Sequence, residues 1–228
     1  MESLRLHRAF TLIELLVVLA IITIVMAVVF TSQSSFNKTF VLTDTAYDIA
    51  LTLRDAETYG LGSSAINANT NTGYGVDFQN ATPGTFTLFA DTYPPVGSNP
   101  STLCHTPPVY NSTGPSAQPG NCAYDASQGE MVTNYTLGNG ITISNFCASQ
   151  NGGWSCENAT STYSGGLPSL DIVFARPNPI PFISAGGVYS TLSPVTEACI
   201  AVTSPQGGFK YVSVAASGEI TANAASCP

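Results

Sequence analysis

The chain has 228 residues, enough for one domain of ordinary size with an anchor but too few for two full domains. Charged residues make up only 9% of it, and the formal net charge is −8. Beyond Gly60, eight carboxylates stand against only two cations, Arg176 and Lys210. This balance excludes the basic stripe that neutralises nucleic-acid phosphates, so we expect no direct nucleic-acid binding.

A long apolar run lies close to the N-terminus. From Phe10 to Phe30 only Thr11, Glu14 and Thr23 are not apolar, and neither Gly nor Pro occurs. A helix of this length spans about 30 Å, which matches the hydrocarbon core of a bilayer. Residues 10–30 therefore predict a single membrane-spanning helix.

A basic leader precedes this run, because Arg5, His7 and Arg8 are followed by the small residue Ala9. In an ordinary secretory signal the small-residue cleavage site follows the apolar region. Here it comes first, so cleavage after Ala9 would leave the helix on the mature protein, with 4 basic and 13 acidic residues and a net charge of −9. The positive leader predicts a single-pass membrane protein with its bulk on the extracytoplasmic side.

The residues Ala9-Phe10-Thr11-Leu12-Ile13-Glu14 resemble the processing site of type IV prepilins and type II secretion pseudopilins, which usually have Gly where this chain has Ala9. The resemblance implies that prepilin peptidase removes the leader, residues 1–9, and methylates Phe10. It also implies that an inner-membrane assembly platform moves the helix from the membrane into a filament of pilin or pseudopilin subunits, at the cell surface or in the periplasm. Glu14 would there pair with the Phe10 amine of a neighbouring subunit.

Glu14 places a carboxylate within the predicted membrane-spanning helix. A carboxylate near the centre of a helix in lipid costs roughly 2.5 to 3.5 kcal/mol, so such residues tend to be functional and partnered. The alternative is that Glu14 lies close enough to the membrane surface to stay hydrated in a plain signal anchor.

Residues 31–60 predict an amphipathic continuation of the helix, with apolar residues at spacings of three and four. Its apolar face consists of Leu42, Ala46, Ile49, Leu53 and Ala56. A single helix of about 50 residues is expected. The small polar residues of the stretch 31–39 predict bending or local melting, and Gly60 predicts a left-handed cap at the helix end.

Residues 61–228 change to short alternating runs separated by turn residues, which predicts a β-rich head. The expected fold is therefore α+β, a long N-terminal helix packed on an antiparallel sheet with long disulfide-braced loops. Glycine-containing turns at 138–140 and 217–218 are expected to join neighbouring strands. The predicted strands are 74–78, 85–90, 131–137, 141–146, 170–175, 198–203, 209–215 and 219–222.

Three segments are expected to be irregular. Residues 91–122 hold seven of the fifteen prolines and predict a long surface loop. Residues 147–167 carry Trp154, the sole tryptophan, which is either exposed for contact with a subunit or ligand, or packed on its own disulfide loop. The proline-rich stretch 176–181 predicts a rigid, extended connection.

The chain has six cysteines, all on the far side of the anchor from the leader. An even count in an exported segment predicts structural disulfides. Of the fifteen connectivities, the sequential one is preferred: Cys104–Cys122, Cys147–Cys156 and Cys199–Cys227. No Cys-x-x-Cys pair exists and processing would leave only His105 among the histidines, so we expect no metal and no cofactor.

No catalytic signature occurs, whether a P-loop, a Gly-x-Ser-x-Gly elbow or a His-Glu-x-x-His motif, so we expect no enzyme.

Residues 9–78 and roughly the last thirty resemble the H-type pseudopilin and minor-pilin group, more weakly in the head than at the N-terminus. Two alternatives to an ordinary filament subunit stay open. One is a minor or tip pilin that binds a surface or an exoprotein, and the other is an anchored binding domain that never polymerises.

Overall fold

The computed structural model describes residues 11–62, 72–93, 120–159, 164–176, 178–190 and 192–227, without the side chains of residues 31–38 and 178. The chain divides into two compact units, Met1–Phe40 and Val41–Pro228. The boundary falls within the helix, so the second part of the helix belongs to the same unit as the β-strands.

One helix, α1, runs from Leu12 to Leu61, as the sequence predicts. It is helical throughout the stretch 31–39, so the local melting expected there does not occur. In the second unit its predicted apolar face is buried, and Ala46, Ile49 and Leu53 are fully excluded from solvent. The spacings of three and four place these side chains on one side of the helix, where they join the main hydrophobic core.

Ten strands follow α1 and form two antiparallel sheets, which gives the predicted α+β fold. The first sheet has the order β3-β2-β1-β6-β7 and the second the order β10-β9-β8-β4-β5. One core cluster contains side chains of α1 and of both sheets. The strands are β1 Gly73–Gln79, β2 Thr85–Asp91, β3 Met131–Thr136, β4 Thr142–Gln150, β5 Gly153–Cys156, β6 Ser169–Ala175, β7 Asn178–Ala185, β8 Val195–Thr203, β9 Phe209–Ala215 and β10 Ile220–Ala224.

All eight predicted strands are present, but two strands lie where irregular segments were expected. β4 continues to Gln150 and forms a hairpin with β5 through Asn151 and Gly152, both with positive φ (52° and 76°). An Asn-Gly pair with this geometry is the most favourable two-residue hairpin turn. The prediction of an irregular segment from Cys147 was therefore wrong for its first ten residues.

The expected connection at 176–181 is also largely a strand. β7 pairs with β6 at one edge of the first sheet and contains Pro179 and Pro181. Proline lacks an N–H group and is tolerated in edge strands, where one side of the strand has no hydrogen-bonded neighbour.

Of the two predicted turns, only the one at Ser217-Gly218 joins paired strands, β9 and β10. Asn139 and Gly140 do form a tight turn with positive φ (57° and 70°). However, β3 and β4, on either side of it, belong to different sheets. This turn therefore carries the chain from one sheet to the other.

Gly60 does not cap the helix, which corrects a further prediction. It lies inside α1 and is not among the residues with positive φ. A Cβ atom at this position would lie 2.0 Å from the backbone oxygen of Phe174 on β6. Glycine is therefore required by the close approach of the last helical turn to the first sheet, and not by a left-handed conformation.

Two of the preferred disulfides are confirmed. Cys147–Cys156 links the paired strands β4 and β5, with the Cα atoms 4.0 Å apart. Cys199–Cys227 joins β8 to the C-terminal segment, with the Cα atoms 5.6 Å apart. The preferred Cys104–Cys122 pair includes a residue outside the described ranges, although Cys122 itself is disulfide-bonded.

Candidate assembly helix and a loop anchored by buried carboxylates

The first part of α1 contains a segment, Leu12–Phe30, long and apolar enough to span a membrane, with all 19 residues exposed. Glu14 is its only charged residue and lies in the first helical turn. Thr11 precedes the helix, and its Oγ1 accepts a hydrogen bond of 3.3 Å from the Glu14 N–H. Thr-x-x-Glu is the capping-box pattern, so this sequence also helps to start the helix.

The remaining residues predicted to act in processing, Ala9 and Phe10, lie outside the described residues. The structure therefore gives no distance from the Glu14 carboxylate to the amine of Phe10. Their roles in cleavage, methylation and assembly stay predictions.

A second site, which was not predicted from the sequence, lies on the face of the first sheet away from α1. Four carboxylates there are almost completely excluded from solvent: Asp77 on β1, Asp91 at the end of β2, Glu130 just before β3 and Asp171 on β6. Residues 120–125, here called the cover segment, lie over this face, and Cys122 of the segment packs with Phe89 and Val173. The signal in the sequence was an Asp in the middle of an apolar strand, as in Val-Asp-Phe at 76–78.

Asp91 anchors the start of the cover segment. Its Oδ1 accepts the Asn121 N–H at 3.0 Å and its Oδ2 accepts the Cys122 N–H at 2.9 Å. Burial raises the pKa of Asp91 well above its ordinary value, the nearby Glu130 raises it further, and the two N–H groups oppose the shift. Asp91 thus holds the first described residues after the proline-rich stretch 94–119.

Glu130 anchors the last described residues before the same stretch. Its Oε1 accepts the N–H groups of Thr92 and Tyr93, both at 2.8 Å, and its Oε2 accepts the Asp125 N–H at 2.8 Å. Burial raises the pKa of Glu130 to about 7, against the lowering effect of these three donors. The two carboxylates therefore fix both ends of residues 94–119, which lie outside the described ranges.

Asp77 and Asp171 form a carboxyl pair beside these anchors, because they lie directly opposite each other on the neighbouring strands β1 and β6. Asp77 Oδ2 accepts the side-chain N–H of Gln79 at 2.9 Å, and Asp171 Oδ1 accepts the Tyr124 N–H at 3.1 Å. The pair thus connects the centre of the first sheet to the cover segment. Among the described residues, no group of three or more His, Cys, Asp or Glu side chains is arranged to hold a metal ion.

Comparison with known proteins bears on the first of these two sites. Residues 4–30 match the family model of the prokaryotic N-terminal methylation motif. The chain carries a prepilin-type signal. No curated protein sequence and no solved structure matches the chain significantly.

The matched residues include the exposed apolar segment of α1, and the motif supports a pilin-like or pseudopilin-like precursor. Such a signal and an apolar N-terminal helix fit a membrane-anchored protein with an extracellular head. The motif also implies processing by prepilin peptidase and assembly with other pilins.

Trp154 lies in the head of this prepilin-type protein on strand β5, and not in an irregular loop. It is half-buried, lies opposite Ser149 on β4, and is two residues from the disulfide-bonded Cys156. Its position on a short edge strand leaves the residue partly open to solvent, and its contact with a subunit or ligand stays a prediction.

The anchoring by Asp91 can be tested at Gly120, which has a φ of 108° and where a Cβ atom would lie 2.4 Å from the Asp91 carboxyl group. We expect Gly120→Ala to lower the free energy of unfolding by about 2 kcal/mol more than a matched control, because the new methyl group displaces the anchor. Urea unfolding of the full chain in nonionic detergent measures the difference.

The control is Gly207→Ala. Gly207 also has positive φ (87°), but an added Cβ atom would have no neighbouring atom within 4 Å. It should therefore report only the backbone strain, about 1 kcal/mol. Equal losses in the two variants would mean that Asp91 tolerates displacement and does not anchor the segment.

Proposed function

We propose that this protein is a structural subunit, a pilin or pseudopilin, of a filament of the type IV pilus or type II secretion type. The observation that carries the proposal is the match of residues 4–30 to the methylation motif, continuous with an exposed apolar helix segment. Exposed apolar side chains along 19 consecutive helical residues favour either lipid or other helices around them. A subunit that moves from membrane to filament meets both conditions in turn.

In this proposal prepilin peptidase cleaves after Ala9 and methylates Phe10, and the assembly platform then extracts the helix. Glu14 would lie about one helical turn from the new amine. In the filament its carboxylate would pair with the Phe10 amine of a neighbouring subunit. The apolar residues 12–30 would pack against the same segment of other subunits, and the β-rich head would remain outside as a non-catalytic contact surface.

The disulfides support an extracytoplasmic head. Cys147–Cys156 and Cys199–Cys227 both lie in the second unit, and disulfides persist in oxidising compartments. The proposed location is therefore the inner membrane before assembly and a periplasmic or surface filament afterwards.

The deciding experiment is intact-mass and N-terminal peptide analysis of protein from sheared surface filaments and, separately, from membranes. The proposal expects filament material that begins at N-methylated Phe10. Protein found only in membranes and still carrying residues 1–9 would refute filament assembly. It would leave an anchored binding domain that never polymerises as the better account.

A second candidate within the same proposal is a minor or tip subunit. The supporting observation is that Asp91 and Glu130 hold the described residues on both sides of the proline-rich stretch 94–119, which the sequence predicts to be a surface loop. Here the loop would bind a surface, an exoprotein or another minor subunit. The abundance of the protein relative to other subunits in the same filament fraction separates a minor subunit from a major one.

A further inference from the structure

In the described part of the chain, no cationic side chain contributes to the electrostatics of the carboxyl pair Asp77–Asp171. Residues directly opposite on antiparallel strands place their Cβ atoms about 4.5 to 5.5 Å apart, and like charges in such pairs are destabilising. Both side chains are at most 2% exposed, so water cannot screen their repulsion. One oxygen of each, Oδ1 of Asp77 and Oδ2 of Asp171, has no hydrogen-bond partner among the described residues.

The groups around the pair make the imbalance larger. Across the same face stand the carboxylates Asp91 and Glu130, and the cover segment adds Asp125 and the phenol of Tyr124. The next side chains in the row across the sheet, Thr87 on β2 and Ser184 on β7, are uncharged. Ser184 donates a hydrogen bond of 2.5 Å to the backbone oxygen of Cys122, so it is already engaged with the cover segment.

We propose that Asp77 and Asp171 hold a single proton between them in the folded head, and that this shared proton keeps the cover segment on the first sheet. A proton converts two facing acceptors into a donor and an acceptor, which satisfies both orphaned oxygens with one hydrogen bond. It also removes one of two like charges. Asp171 then keeps its other oxygen for the Tyr124 N–H of the cover segment.

The titration behaviour agrees with this geometry. Burial raises the pKa of Asp77 to about 6. Burial and the neighbouring Asp77 raise the pKa of Asp171 well above its ordinary value. The two carboxyl groups therefore titrate as one system, and the shared proton does not belong to either residue alone.

The direction of the pH effect follows from these raised pKa values. An unfolded Asp titrates near pH 3.9, so from about pH 4 upward the folded state holds more protons than the unfolded state. Stability from the shared proton is therefore full only below about pH 4 and is lost progressively as the pH rises from there through about 6. The free energy of unfolding of the head should therefore be larger at pH 5 than at pH 7.5.

Thermal unfolding of the full chain in nonionic detergent, followed by near-ultraviolet circular dichroism, tests the proposal. We expect the wild-type midpoint to fall by about 5 °C between pH 5 and pH 7.5. Asp77→Asn should reduce that fall and raise the midpoint at pH 7.5 above wild type. Its amide supplies a permanent N–H for Asp171 and keeps an oxygen for Gln79. Asp44→Asn, at an exposed helix position, is the charge-matched control and should keep the wild-type slope.

Asp171→Asn provides a second variant, since its amide donates to Asp77 and its oxygen still accepts the Tyr124 N–H. Glu130 and Asp91 also contribute to the infrared band of protonated carboxylic acids at pH 5, so the shared proton would be identified by the component of that band that either variant loses. Midpoints that are lower at pH 7.5 in both variants, with the wild-type slope retained, would overturn the proposal. A rise of the wild-type midpoint on adding Ca²⁺, lost in both variants, would also overturn it, because a cation and not a proton would then join the pair.

Discussion

Replacing Glu14 by Gln should leave leader removal intact and reduce incorporation into filaments by roughly 70-fold. The substitution removes the carboxylate that the proposed function pairs with the Phe10 amine, so an ammonium group would be left without a partner among apolar helices. A penalty of about 2.5 kcal/mol, the lower end for a charged side chain in lipid, corresponds to that factor. Quantitative mass spectrometry of filament and membrane fractions measures the ratio.

Asp44→Asn is the matched control for this experiment, since it removes one carboxylate from an exposed position further along α1. It should leave the filament fraction unchanged. Wild-type incorporation of Glu14→Gln would contradict the pairing. Accumulation of uncleaved precursor would place the role of Glu14 in processing and not in assembly.

Gly60→Ala should lower the free energy of unfolding by about 3 kcal/mol or more, and the melting temperature by about 6 to 12 °C. The added methyl group would lie 2.0 Å from the backbone oxygen of Phe174 and 2.8 Å from its backbone carbon. β6 cannot retreat easily, because it is paired on both sides, with β1 and β7. The gain of about 1 kcal/mol that Ala brings to a helix interior is too small to compensate.

Gly84→Ala is the control for this variant. Gly84 lies in the turn before β2, has no atom within 4 Å of an added Cβ, and does not have positive φ. It should unfold like the wild type. A Gly60→Ala protein as stable as this control would show that the helix can shift away from the sheet, and that the contact does not set the position of its last turn.

The helix and eight strands are predictable from the sequence because their signals are local. Residues such as Ile49 and Leu53 recur with the period of a helix, and the strand residues alternate with a period of two. β5 is also predictable from local sequence, because Asn151-Gly152 is a strong hairpin signal. β7 was hidden by its two prolines, which exclude a central strand but not an edge strand.

The division into two sheets could not be predicted from the sequence. The turn at Asn139-Gly140 predicts a hairpin. The strands on either side of it have other partners, because β3 pairs with β2 and β4 pairs with β8, and these partners lie far apart in the chain. A tight turn can join two paired strands or connect two different sheets, and only the long-range strand pairing decides between these two arrangements.

The two candidate sites differ in the same way. The prepilin-type signal is a short contiguous stretch, so its residue types can be read directly from the sequence. The carboxylate anchors join residues that are 30 or more positions apart, such as Asp91 with Asn121 and Glu130 with Tyr93. In the sequence the same acidic residues indicate only net negative charge, because nothing local shows that they are buried against backbone N–H groups.

The register of the second sheet places three cysteines in a row across neighbouring strands. Cys147 on β4 lies opposite Cys156 on β5 and also opposite Cys199 on β8. A thiol released at Cys147 by replacing Cys156 would therefore face the Cys199–Cys227 disulfide, and exchange with it would release the C-terminal segment. Single cysteine substitutions in this head are consequently not local changes, and bridges should be removed in pairs when their separate effects are measured.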